Sequence, residues 1–212
     1  MKKIIVLSGK GGVGKTTITA LIAKNLNREY RIGLIDADLH CPNLPLVFGI
    51  EKKDLKVNNE KRIIPLKMND EPWMGIISSY FLMNDEALIW RGPLKHKLLL
   101  DFKNAAWPEL DYMIIDSPPG TGDEVISSVQ LFQPDIAIIV LTPQKLSIMD
   151  AERAINFAEK MGIKDIRIIV NMSDLASIDK VKGFKPIARI PIIKELTKSP
   201  VLPNNLEIEI DL

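Results

Sequence analysis

The chain has 212 residues, 46% of them hydrophobic, with 28 basic against 27 acidic side chains and a formal net charge of +1. That length and apolar content suit a single α/β domain over 1–212, and the near-neutral balance gives no electrostatic reason to expect a nucleic-acid partner. No apolar run approaches the roughly 18 residues of a membrane span, so no membrane partner is expected, and the lone cysteine, Cys41, excludes an internal disulfide and suits a reducing, cytoplasmic compartment.

Lys2 and Lys3 precede an apolar run at 4–7 that is too short for a signal peptide and leads directly into GKGGVGKT at 9–16. The pattern G-x-x-x-x-G-K-[ST] binds phosphate chains because its glycines let successive backbone N–H groups wrap an anion. Its lysine reaches the β- and γ-phosphates and its hydroxyl ligates Mg²⁺. Gly9, Gly14, Lys15 and Thr16 fill the four fixed places, while Gly11, Gly12, Val13 and Thr17 complete the cradle. An apolar strand before the loop and helical spacing after it (Ile18, Leu21, Ile22, Leu26) put it at a strand-to-helix turn, where the helix N-terminus favours an anion.

The spacing predicts a helix over 16–28, then a strand over 32–35 that ends in Asp36 and Asp38 of IDAD. Residues 52–62 are polar and charged and read as an exposed excursion, followed by short strands over 63–66 and 74–77. Tyr80, Phe81, Leu82 and Met83 form an apolar stretch expected to be buried. A helix over 94–104 carries His96 toward solvent, and Trp73, Trp90 and Trp107 read as core or interface anchors.

A strand over 113–115 delivers Asp116, the carboxylate that such a site needs at a neighbouring strand end to hold the Mg²⁺ shell. SPPGTG follows, with paired prolines restricting 117–119 and Gly120 able to bring its N–H near a γ-phosphate, as a hydrolysis-sensing loop requires. Helices over 124–132, 147–161 and 192–197 and strands over 136–141 and 166–170 complete the pattern, with Leu206, Ile208 and Ile210 alternating as a short edge strand. Near-continuous apolar strands between helices imply a three-layer α/β sandwich with a mainly parallel sheet, of the P-loop NTPase type. Asp36 is read as outer-shell support for Mg²⁺ and Asp38 as the residue orienting the attacking water, with turn capping as the alternative for Asp38.

Taken in order, GKGGVGKT, DADLHCPNLP, WRGP, ELDYMIIDSPPGTGDE, LTPQ and VNMS resemble the Mrp/ApbC-type ATPases of the MinD/ParA-like superfamily. The resemblance spans roughly 3–200, and IDSPPGTGD and WRGP are its most discriminating parts. It implies a homodimer in which Lys10 of each subunit reaches the other's nucleotide in trans, a deviant phosphate loop powered by ATP and Mg²⁺. It also implies that Asn171 reads adenine, with main chain near Pro191 completing the base pocket. NMSD at 171–174 equally resembles the guanine-reading N-K-x-D, and ATP is favoured over GTP because Met172 lacks a cationic stem to pack on the ring.

The family carries iron-sulfur clusters on a C-x-x-C pair soon after NMS, but here DLASIDKVKG follows without a cysteine. Carriage in the family's manner is therefore not expected, since a cluster commonly takes four thiolates. A bridging metal on His40 and Cys41 of two subunits is the alternative, against the ordinary reading of a lone cysteine as a small buried hydrophobe. The protein cargo or client stays open. A MinD-like positioning role would want a basic amphipathic C-terminal helix where LEIEIDL is acidic, and a ParA-like DNA role more than the mild concentration of Lys180, Lys182, Lys185, Arg189 and Lys194. A nucleotide-binding regulator with little hydrolysis is a third reading.

Overall fold

The computed structural model describes residues 1–82, 92–203 and 210. In chain order the elements are β1 (Lys2–Leu7), α1 (Lys15–Leu26), β2 (Ile32–Asp36), α2 (Leu44–Val47), β3 (Lys56–Val57), β4 (Ile63–Ile64), β5 (Leu66–Asn69) and β6 (Met74–Ser78). Then come α3 (Gly92–Lys103), β7 (Tyr112–Asp116), α4 (Asp123–Phe132), β8 (Ile136–Leu141), α5 (Lys145–Lys160), β9 (Asp165–Asn171) and β10 (Pro186–Ile190). Eight strands form one sheet in the order β10-β9-β8-β1-β7-β2-β6-β5. All neighbours pair in parallel except β5, which runs antiparallel along β6 at the edge.

Alternation along each central strand divides the core into two layers, because successive side chains of a strand leave opposite faces. Ile4, Val6, Ile114, Ile138 and Val140 pack with Ile18, Leu21, Ile22 and Leu26 of α1 and with α2. Ile5, Leu7, Ile115, Ile139 and Leu141 face the other way, onto α3, α4 and α5 through Phe102, Phe132 and Ile155. The expected three-layer sandwich follows, with strands that read as unbroken apolar runs because both faces are covered.

α4 begins on Asp123 and Glu124, which complement its positive end, and stops at Gln133, whose left-handed backbone (φ 51) leads into Pro134. Trp73 and Trp107 meet edge to face at 6.3 Å between ring centres, and the Trp107 indole donates to the Phe102 carbonyl, so both serve as core anchors. Phe81 is buried and Leu82 exposed, while Met83 and Trp90 lie outside the described residues.

Several expectations need correction. The strand expected over 63–66 is broken at Pro65, which has no N–H to donate: β4 pairs with β3 in a separate two-stranded hairpin within the excursion, and β5 joins the main sheet. The helix expected over 192–197 is only a 3₁₀ turn, Lys194–Thr197, entered through an extended Ile193 and flanked by Pro191 and Pro200. β10 went unread because its stretch opens on Pro186 and carries Arg189 among its apolar residues. The edge strand expected at 206–210 falls mostly outside the described residues; Ile210 is buried in the α1 layer.

Candidate nucleotide site

β1 lies between β7 and β8, and the chain leaves it through α1 toward β2 on one side while β8 leads through α5 to β9 on the other. Ligands of open α/β sheets bind at the carboxyl ends of the strands at such a switch point. The loop of residues 8–14 emerges there and turns into α1 on Gly12 and Gly14, whose backbones are left-handed (φ 79 and 85). A Cβ on Gly11 or Gly12 would meet nothing within 4 Å, so this part of the loop faces open cleft, whereas one on Gly9 would fall 2.1 Å from the Asp150 carbonyl oxygen of α5. The glycines thus divide between a side open to the cleft and a packed side.

Asp116, at the end of β7, gathers the polar groups of the first turn of α1. Lys15 Nζ lies 2.7 Å from its Oδ1, Thr16 Oγ1 donates to Oδ2 at 2.7 Å, and Thr19 Oγ1 lies 3.0 Å from both Oδ1 and the Lys15 carbonyl. Lys15 and Asp116 are 7% and 1% exposed, so this is a desolvated pair held by added hydrogen bonds, the only way such a pair persists in a core. Thr19 was missed in the sequence. Its signal was there: Lys15, Thr16 and Thr19 share one helical face by their spacing.

Asp36 stands opposite Asp116 across the β2–β7 ladder. Its Oδ2 accepts from Ser78 Oγ at 2.9 Å and Leu44 N at 3.2 Å. Complete burial, followed by the nearby Asp116 charge, pushes its carboxyl well above the ordinary range, against the Ser78 hydrogen bond and Lys15, which oppose the rise. Ser78 is the second residue sequence reasoning missed, a polar terminus on an otherwise apolar strand. Asp38 lies on the cleft with Oδ1 accepting Cys41 N at 3.1 Å, and burial raises its carboxyl as well. It therefore caps a turn and also faces the cleft.

The cleft beside the loop is lined by Lys10, Lys15, Thr16, Asp38, His40 and Pro119, among others. Lys10 reaches Gln144 Oε1 at 3.5 Å within the same chain. Gly120 N donates to the Ser8 carbonyl at 2.9 Å and Ser117 Oγ to the Val6 carbonyl at 2.7 Å, tying the SPPG turn to the base of the loop. His40 Nε2 meets Glu124 Oε1 at 3.0 Å, and Lys95 joins the same carboxylate. Burial alone would raise the Glu124 carboxyl, but hydrogen bonds from Lys95 and His40 hold it below its ordinary value. This bridge from the loop after β2 to α4 was not anticipated, because residues 40, 95 and 124 meet only in three dimensions. His96 is exposed as expected. Cys41 is exposed too, which corrects the expectation of a buried thiol: it sits on a polar loop at the cleft rim instead of on a core face.

At the far end, Gly14, Thr17, Asn171, Met172, Ile192 and Ile193 line a second, largely apolar cleft. Asn171 Nδ2 donates to the Val13 carbonyl at 2.9 Å, and a Cβ on Gly14 would come 2.2 Å from that nitrogen. Pro191 is exposed, and its successors Ile192 and Ile193 supply the wall. Among the described residues no group of three or more His, Cys, Asp and Glu side chains is placed to hold a metal ion, and no helix is long and apolar enough to cross a membrane.

A ParA family model, described as NUBPL iron-transfer P-loop NTPase, matches residues 1–194. An iron-sulfur cluster carrier protein of Rickettsia bellii is 40% identical over 205 residues, 96% of this chain but 63% of the carrier, so the chain spans less than two thirds of that relative. A cytosolic Fe-S cluster assembly factor NUBP2 homolog of Dictyostelium discoideum is 40% identical over 217 residues, covering 95% of this chain and 82% of that protein. Among solved structures, a nucleotide-binding protein of Archaeoglobus fulgidus in complex with ADP superposes with a TM-score of 0.74 at 33% identity, over 93% of this chain and 84% of that one. The septum site-determining protein MinD of Pyrococcus horikoshii, complexed with Mg-ADP, does so at 0.71 and 22% identity over 94% and 84%, a likeness of fold. With the loop, its buried Lys15–Asp116 pair and this sheet order in place, the chain belongs to the ParA/NUBPL family of P-loop NTPases.

Proposed function

We propose that the chain is a Mg²⁺-dependent, ATP-hydrolysing switch that works as a homodimer in the cytosol, built on one nucleotide-binding domain over 1–212. The convergence of Lys15, Thr16 and Thr19 on Asp116 under an open glycine loop carries the reading. The residues fit the ligand. Within Gly9 to Thr17, Gly11 and Gly12 face the open cleft at a helix N-terminus, where main-chain N–H groups receive the phosphates, while the Gly120 N–H is taken by the Ser8 carbonyl and ties the SPPG turn to the loop. Thr16 and Asp116 are hard oxygen donors suited to Mg²⁺, which keeps several waters and needs few protein ligands; Asp36 supports that shell from the adjacent strand. Bound there, Mg²⁺ supplies Lewis-acid neutralisation of the phosphates.

Lys15 leaves Asp116 for the β- and γ-phosphates when nucleotide enters, and Asp38 orients the attacking water, its raised carboxyl better suited to proton acceptance. Lys10 serves the partner's nucleotide, in the manner of an arginine finger. Asn171 and the main chain around Pro191 hold the adenine. Relatives named as iron-sulfur carriers support a client in cluster assembly. One cysteine per chain does not fit a family-type cluster site, so the cargo step differs here.

The decisive variant is Lys10→Ala. ATP turnover should fall by about a hundredfold or more while ATP affinity stays within about threefold, the pattern of charge supplied in trans. Unchanged turnover would sink the dimeric mechanism.

A further inference from the structure

Two loops close the apolar cleft, the turn after β9 and the segment that follows β10. They come from different crossings of the sheet edge, and one side chain joins them: Asp174 Oδ2 accepts the Ile192 main-chain N–H at 3.3 Å. Asp174 is absent from the cleft lining, although it occupies the place from which the N-K-x-D pattern would read guanine. Between Asn171 and Asp174 the chain passes through Met172, whose backbone is left-handed (φ 54). Asn171 itself has a defined orientation, because a carbonyl only accepts: Nδ2 must face the Val13 carbonyl, and Oδ1 is left as the amide's acceptor.

We propose that Asp174 is a positioning residue for base recognition, holding Ile192 so that the two loops close on a purine whose exocyclic amine donates to Asn171 Oδ1. Adenine carries that amine at position 6, whereas guanine carries an oxygen there and would set acceptor against acceptor. A guanine-reading carboxylate, the feature that could reverse the preference, is engaged with main chain outside the cleft. The inference rests on the nucleotide-binding reading and adds to it how the base is selected.

The test uses the full chain with ATP and GTP as competing ligands, together with steady-state turnover and a melting curve for each variant. Wild type should prefer ATP by about tenfold or more. Asp174→Ala should raise KM for ATP about five- to tenfold and narrow the ATP-to-GTP ratio, with kcat at saturation within about twofold. Asp174→Asn, whose amide oxygen can still accept from Ile192, should recover KM to within about twofold of wild type. Both variants should fold, since residue 174 is exposed. An unchanged KM and ratio in Asp174→Ala would overturn the inference while leaving nucleotide binding intact. So would a wild type that prefers GTP and loses it selectively in that variant. A wild type that binds neither nucleotide would overturn the functional reading and this inference together.

Discussion

The two clefts beside the glycine loop, the proposed phosphate end and the proposed base end of the nucleotide site, are built on opposite principles. At the phosphate end, charged groups are buried and mutually satisfied: Lys15, Thr16 and Thr19 converge on Asp116, and Asp36 sits behind them on Ser78 and the Leu44 amide. At the base end, apolar side chains on loops form the walls, and single hydrogen bonds from Asn171 and to Asp174 hold them. A desolvated ion pair is rigid because leaving it half-made is expensive, whereas an apolar loop is held by small increments and adapts to its ligand. Chemistry needs the first property and recognition tolerates the second. Gly14 is where the ends touch, one backbone serving the phosphate turn and packing against Asn171.

Breaking the rigid end should have the largest effect. Lys15→Ala leaves Asp116 buried beside Asp36 without its cation, and removing one partner of such a pair costs about 3–5 kcal/mol. Urea unfolding should show that loss, and ATP turnover should fall at least about a hundredfold. A variant that keeps wild-type stability would mean that the end is not organised around this pair.

The junction comes next. Gly14→Ala forces a Cβ into a left-handed position and onto Asn171 Nδ2, so it should cost about 2–3 kcal/mol. Unlike Lys15→Ala, it should weaken the base end as well, raising KM for ATP through the displaced asparagine. If KM is unaffected, the two ends are independent and the comparison sharpens into two separable sites.

The smallest effect has the opposite sign. An acid whose pKa is raised on folding holds more protons folded than unfolded between its ordinary value, 3.8 for Asp36, and its raised one. Its charge therefore destabilises the fold increasingly as pH rises through that window and fully above it. Asp36→Asn removes the charge, keeps an oxygen for Ser78 and Leu44, and gives up the long 3.3 Å bond that Oδ1 accepts from Asp38 N. Its melting temperature should exceed wild type by about 2–4 °C near pH 8, with the gap closing toward pH 4. A variant less stable than wild type at pH 8 would show that the ionised carboxylate is fully compensated by its donors.

Much of the rigid end was legible in the chain because its parts are local or end strands. Gly9 to Thr17 is contiguous, and Asp36 and Asp116 each close an unbroken apolar run, which puts them at the same edge of a parallel sheet. The three-layer fold was legible for the same reason. Thr19 and Ser78 were less visible, since a threonine in a helix and a serine at a strand end have many ordinary uses. The Lys95–Glu124–His40 bridge had no sequence signal at all. The missed β10 and the shortened turn at Lys194–Thr197 belong to the base end, where prolines and scattered charges blur the periodicity.

The sequence by itself determined that a glycine-rich loop meets a helix N-terminus, that two aspartates end buried parallel strands, and that a single cysteine, Cys41, stands among the 212 residues. Those properties follow from residue identity and from periods of two and 3.6, which act over a few residues. Only the tertiary structure decided which groups satisfy each buried charge and which way the carboxylate of Asp174 faces. Most of those choices depend on segments more than a dozen residues apart arriving together, as Asp116 does with Lys15 and Asp174 with Ile192.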